Sequence, residues 1–208
     1  MQFSTAYRPR LGEGVFPSHS SASAATSAQL SGWLVWTVGA LLVGVVALPM
    51  FCLDILPMSD FPAHLARVTL LSHRPLDPLL ARAWAIDMRW LPNLAMDVFV
   101  PAVAPWLGAE VGLKTFMTLG LALWMAGAAL LYRALWREWG LQPLFAIFFA
   151  VNAPFYWCFA NYHVGAGLAL TAAGVWALKA QRTPLTLAAM TLVALVLLFC
   201  HLMALAVF

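Results

Sequence analysis

The sequence predicts an all-α, polytopic integral membrane protein, and three observations predict it. Of 208 residues, 63% are hydrophobic and only 9% are charged, where an ordinary soluble domain carries about 25% charged side chains. Long apolar runs recur from Gly32 to the end of the chain, several near the ~20 residues that cross ~30 Å of hydrocarbon. The basic residues of the short connections collect on one side of those runs, as the positive-inside rule requires. A net charge of +3 rests on 11 basic and 8 acidic residues, with no basic stripe interleaved with aromatics. Nucleic acid is therefore not an expected partner, whereas membrane lipids are.

Residues 1–30 are rich in Ser, Ala and Thr, carry Arg8 and Arg10, and lack a sustained apolar period. They read as a disordered cytoplasmic leader. A first span follows from Gly32 to Leu53, too long for the apolar part of a signal peptide. From Asp54 to Glu110 the composition shifts: five Asp, four Arg, two His and seven Pro are spread among short apolar groups. This is a long first loop. Helices are expected in it near 60–72, 78–86 and 91–100, and Trp84, Trp90 and Trp106 suit helices lying at the membrane–water interface.

A second span is expected over Val111–Leu135, with Lys114 near its start. The run from Pro143 to Cys158 holds Asn152 and Pro154, so it is expected to be kinked or partly re-entrant. A fourth span covers Val164–Leu178 and a fifth runs from Pro184 to Phe208, with His201 far along it. About five spans result, residues 31–208 forming one transmembrane domain with its loop at about 54–110. Arg8 and Arg10, Arg133 and Arg137, and Lys179 and Arg182 then share one side, which the rule makes cytoplasmic. The loop faces outward, as on the outer face of a bacterial inner membrane. The last apolar run has no polar tail after it, so the chain reads as the N-terminal part of a larger membrane domain. Cys52, Cys158 and Cys200 show no metal-ligand spacing and read as buried small hydrophobes.

The polar residues that such a chain must justify lie in the loop and the outer turns. In Pro57-Met-Ser-Asp60-Phe-Pro-Ala-His64-Leu-Ala-Arg67, a helix starting at Ser59 or Asp60 with Pro62 in its first turn places Asp60, His64 and Arg67 at i, i+4 and i+7. A carboxylate, an imidazole and a guanidinium then share one face. Asn93 and Asp97 form a second i, i+4 pair, and Asn161, His163 and His201 fall on the same side of the membrane. Ionisable groups in a mostly apolar chain are costly unless used, so these eight are the candidate site residues. The bland alternatives are an N-cap at Asp60, a lipid-headgroup anchor at Arg67 and interhelical hydrogen bonds at the histidines. No His-Glu-x-x-His or Gly-x-Ser motif points to proteolysis.

A long loop between the first two spans, with an Asp soon after the first and interfacial helices within it, resembles the GT-C membrane glycosyltransferases. The segment Asp60-Phe-Pro-Ala-His64-Leu-Ala-Arg67, with Trp90-Leu-Pro-Asn93-Leu-Ala-Met-Asp97 and Asn161-Tyr-His163-Val-Gly165, also resembles a group of bacterial multi-spanning proteins from residue 31 onward. The resemblance implies transfer of a sugar from a polyprenyl-phosphate carrier at the outer face. It implies that Asp60 activates the acceptor or helps hold a divalent metal ion, that Arg67 faces the donor phosphate and that His64 binds metal or phosphate; Asn93, Asp97, Asn161, His163 and His201 complete the expected substrate-binding set. The chain departs from that pattern in lacking an Asp-x-Asp pair and in having about five spans. A non-catalytic multi-spanning protein or a transporter component is the alternative.

Overall fold

The computed structural model describes residues 30–73, 77–87, 89, 91–179 and 183–208. The leader through residue 29, together with Arg8, Arg10, Trp90 and Arg182, lies outside the described residues. Within them every regular element is helical. In order these are α1 (Gly32–Phe51), α2 (Phe61–His73), α3 (Pro78–Ala83), α4 (Ala95–Leu107), α5 (Ala109–Trp136), a 3-10 turn (Gln142–Phe145), α6 (Ala146–Ala150), α7 (Ala153–Tyr156), α8 (Ala160–Leu178), α9 (Pro184–Cys200) and α10 (Leu202–Val207).

Two of these helices, α1 and α5, are long and apolar enough to cross a membrane. Their length and composition match a bilayer, and α1 turns Leu41, Val45 and Leu48 outward while burying a stripe of Val35, Gly39, Val43 and Ala47. Of the about five expected spans, these are the two that length and composition support. The third run is broken into the 3-10 turn, α6 and α7, because Asn152 leaves the helical conformation and caps α7, its Oδ1 accepting from the Phe155 N–H at 3.1 Å, just ahead of Pro154. The fourth helix begins four residues earlier than expected. The last run stops at His201, whose extended backbone separates α9 from α10.

The core is a close pair of parallel helices, α5 and α8. A Cβ on Gly120 would meet His163 and Val164, one on Gly127 would sit 2.6 Å from the Thr171 nitrogen, and one on Gly174 would meet Leu130 and the Gly127 carbonyl. The facing residues rise together along both chains, which fixes the parallel sense. Gly120 and Gly127 on α5, and Gly167 and Gly174 on α8, are each seven residues apart, so they recur on one face and let the backbones touch. Thr171 Oγ1 donates to the Leu123 carbonyl at 2.8 Å across this seam. Without those glycines the two backbones could not approach so closely.

The other elements pack around the pair and bring one end of each to a common place. Helix α1 runs antiparallel to α5, and the buried Lys114 near the start of α5 donates to the Leu53 carbonyl just past α1 and to Glu110. Segment 137–159 returns the chain so that α8 can repeat the direction of α5. Helix α9 runs back along α8, Leu197 packing with Ala169 and Cys200 lying over Gly165. The loop elements α2 and α4 lie across this end, where Leu94 N–H bonds to the Phe199 carbonyl at 2.8 Å. Arg133, Arg137 and Lys179 gather at the opposite end. Trp84 and Trp106 are exposed, Cys158 and Cys200 are buried, and Cys52 is exposed at the foot of α1 instead of buried.

Candidate functional site

The polar end is organised by the segment joining α1 to α2. Ser59 and Asp60 N–H groups bond to the carbonyls of Tyr156 and Trp157, both at 3.3 Å, which ties the start of α2 to the end of α7. Pro62 then stands in the first turn of α2, where a missing N–H costs nothing. His64 N–H bonds to the Asp60 carbonyl at 2.9 Å, so Asp60, His64 and Arg67 follow one another along one face as their spacing predicts. The Asp60 carboxylate does not cap α2. Among the described residues neither it nor the His64 ring has a hydrogen-bond or ion-pair partner.

Arg67, one turn further on, is engaged. Its Nε donates to Asp97 Oδ1 at 2.8 Å and its Nη2 to Oδ2 at 2.5 Å, a two-pronged pair across 30 residues of sequence. The two sides differ in environment: the Asp97 side chain is 1% exposed and that of Arg67 59%. Charge-assisted forks of this kind fix geometry as well as contributing energy. Arg67 is therefore held against α4 through Asp97, and its Nη1 takes no part in that fork.

Asn161 lies in the first turn of α8 and does not cap it. Its Oδ1 accepts from Met96 N–H and its Nδ2 donates to the Asn93 carbonyl, both at 2.8 Å, so one amide holds the N-terminal end of α4. Asn93 takes φ 68°, a left-handed conformation that Asn tolerates better than most residues. Its contribution to the wall is this turn and its carbonyl. His201, at the break between α9 and α10, accepts from Met203 N–H through Nδ1 at 3.1 Å, which leaves the proton of the neutral ring on Nε2. The Tyr162 ring meets His201 edge to face at 5.4 Å.

Seven of the eight expected residues, namely Asp60, His64, Arg67, Asn93, Asp97, Asn161 and His201, line one cavity of about 370 Å³. His163 stands apart from it. Its ring points toward α5 between Trp124 and Phe155, it is 2% exposed, and its Nε2 has no hydrogen-bond partner among the described residues. One residue of helix, 100° of rotation, separates it from Tyr162, which does face the cavity. Met96, Phe159, Ala160 and Tyr162 complete the wall and are not among the residues the sequence points to; Tyr162 sits in the triplet Asn161-Tyr-His163, where the ionisable histidine is the more conspicuous residue.

The cavity thus holds two kinds of groups. Asp97, Arg67 and Asn161 spend side-chain polar atoms on one another and on backbone, Asn93 lending its carbonyl, and so build the wall. Asp60, His64, the Asn93 amide and the Nε2 of His201 remain for a ligand. Two carboxylates against one guanidinium leave a formal charge of about −1 while the histidines are neutral. Among the described residues no group of three or more His, Cys, Asp or Glu side chains gathers to hold a metal ion.

The fold and the cavity define the class: an all-helical protein with two helices able to cross a bilayer and a polar cavity at one end of its helix bundle. No protein-family model, curated protein or solved structure matches this chain.

Proposed function

We propose that this chain is a membrane glycosyltransferase of the GT-C kind, or the acceptor-activating part of one, working at the outer face of a bacterial inner membrane on a polyprenyl-phosphate-linked sugar. The observation that carries the reading is the Asp60 carboxylate: it is the one acidic group of the cavity left without a partner among the described residues, beside two imidazoles. Its orientation in the membrane follows from the basic end of the bundle, with Arg133, Arg137 and Lys179 cytoplasmic and the cavity outside.

In this reading Asp60 takes the proton of the acceptor hydroxyl as its oxygen attacks the anomeric carbon of the sugar. The bond from that carbon to the phosphate oxygen breaks, its electron pair leaves with the carrier phosphate, and the configuration inverts. His201 Nε2–H and His64 donate hydrogen bonds to the departing phosphate oxygens. General base catalysis of this type contributes roughly 10²–10⁴-fold. Arg67 is reassigned: its fork belongs to Asp97, and only its Nη1 edge remains for an anion. A divalent cation arriving with the phosphate would find one protein donor here, the Asp60 oxygen not engaged with the acceptor hydroxyl, and would take its other oxygens from phosphate and water.

A second reading, a non-catalytic multi-spanning protein or transporter component, is favoured by Asp97 and Asn161, whose side-chain polar atoms are satisfied within the protein. The test is transfer from radiolabelled polyprenyl-phosphate hexoses in membranes carrying the full protein. Incorporation that requires Asp60 supports the enzyme; a protein of normal abundance that never transfers label supports the second reading.

A further inference from the structure

Behind the polar cavity, where α5 meets the turn leading into α8, lies a buried cluster of soft donors that the proposed transfer does not use. Cys158 Sγ stands 3.6 Å from Met117 Sδ across 41 residues of sequence, and the two side chains are 0% and 1% exposed. Cys158 takes φ 62°, a left-handed conformation uncommon for a residue with a Cβ, so the turn between α7 and α8 holds its thiol in that place. His163 completes the group. A Cβ on Gly120, one turn beyond Met117 on α5, would meet the Cδ2 and Nε2 of its ring. The ring of Phe155, whose backbone carbonyl accepts from Cys158 N–H at 2.9 Å, stands 5.2 Å from the imidazole on the other side. The imidazole therefore enters the space between the turns that carry Met117 and Cys158. It is 2% exposed, and its Nε2 has no hydrogen-bond partner among the described residues.

We propose that Cys158, Met117 and His163 bind one cuprous ion. Two sulfurs held at ~2.3 Å by one first-row ion stand roughly 3.5–4.0 Å apart over the angles of three- and four-coordinate sites. The observed 3.6 Å falls within that range. Thiolate and thioether are soft ligands that favour Cu(I), and a neutral imidazole suits copper as well. Net charge decides between ions. On binding, the Cys158 S–H bond breaks, an S–Cu bond forms and the proton passes to solvent, so thiolate and Cu(I) sum to zero in surroundings that penalise an unbalanced charge. Zn(II) on the same three ligands would leave a buried charge of about +1. The copper stays cuprous throughout, and no electron is transferred. Its way in is the polar cavity, whose wall includes Phe159 and Ala160, the two residues after Cys158. The site is independent of sugar transfer: it ties α5 to the turn ahead of α8, where the Trp157 carbonyl holds the Asp60 N–H.

The experiment uses the full protein in detergent, reduced and free of oxygen, given one equivalent of Cu(I) against a chromogenic cuprous chelator. The wild-type protein is expected to withhold one copper per chain from the chelator. X-ray absorption of that copper is expected to show two sulfur neighbours at about 2.3 Å and one nitrogen at about 2.0 Å. Met117→Leu, which keeps size and apolarity, is expected to lower the sulfur count to one and to lose copper about 10-fold more readily, at least the cost of losing a group that merely supports a ligand. Cys52→Ser, at the exposed thiol, should change neither value. A wild-type protein that yields all its copper to the chelator would overturn the proposal, as would bound copper with only nitrogen and oxygen neighbours, and both readings stand whether or not the variants fold. An unchanged sulfur count in folded Met117→Leu, or loss of the copper in Cys52→Ser, would overturn the ligand set. Zn²⁺ in about tenfold excess is expected to leave the copper in place, and displacement by zinc would overturn the choice of ion.

Discussion

Arg67 and Asp97 meet through two hydrogen bonds of 2.8 and 2.5 Å, yet one side chain is 59% exposed and the other 1%. That asymmetry decides which partner matters more. Removing Arg67 strands a buried carboxylate, whereas removing Asp97 releases a guanidinium that water can reach. Arg67→Ala is expected to cost about 3 kcal/mol, near the low end for a broken buried pair because of the exposed side, and Asp97→Ala less. The double variant should recover part of the Arg67→Ala loss. Thermal unfolding of the four proteins in one detergent checks the order; equal losses for the two single variants would show that the pair is solvated on both sides.

The amide of Asn161 holds α4 through Met96 N–H and the Asn93 carbonyl. Asn161→Leu leaves both backbone groups unpaired and is expected to destabilise by on the order of 2 kcal/mol. At Asn93, with φ 68°, Gly should be tolerated while Val should cost about 1–2 kcal/mol. Melting temperatures of the three variants separate the two effects, because only the Asn161 change removes side-chain hydrogen bonds.

The α5–α8 seam gives a prediction with its own control. A Cβ at Gly127 would press on backbone atoms of Leu170 and Thr171, which cannot move aside, while a Cβ at Gly44 meets nothing within 4 Å. Gly127→Ala is expected to cost about 1–3 kcal/mol by overpacking. Gly44→Ala should leave the melting temperature unchanged or slightly raised, since alanine is the better helix former.

The proposed transfer carries an expected metal dependence. With Asp60 unpaired, a phosphate ligand needs a positive counterpart beyond Arg67, which Asp97 already occupies. Chelation with EDTA is expected to abolish sugar transfer and Mg²⁺ or Mn²⁺ to restore it. Full activity in EDTA would remove the metal from the account.

Much of this arrangement was legible in the residues. The i, i+4, i+7 order of Asp60, His64 and Arg67 survives because Pro62 fixes where α2 begins, and the bundle brings Asn93, Asp97, Asn161 and His201 to the same end. What spacing could not give was which polar groups satisfy one another. Asp97 and Asn161 read as ligand-binding side chains, and the structure uses them on Arg67 and on the backbone of Met96 and Asn93, a pairing across 30 to 68 residues that no local pattern encodes. His163 was misplaced for a related reason: α8 starts at Ala160, which rotates the histidine onto the α5 seam and turns Tyr162 toward the cavity. The last run stayed unbroken in the reading because apolar composition continues through His201, and a helix break made by one extended residue leaves no Gly or Pro to announce it.

The central claim is that Asp60 acts as the base, and Asp60→Asn tests it most directly. The substitution keeps size and hydrogen-bonding capacity while removing the charge, and Asp60 donates no support to α2 that its loss would disturb. Transfer from a polyprenyl-phosphate hexose, measured in membranes with the variant matched to wild type in abundance and melting temperature, is expected to fall at least 100-fold. Transfer within a factor of about two of wild type would contradict the account and leave Asp60 without a part in the chemistry.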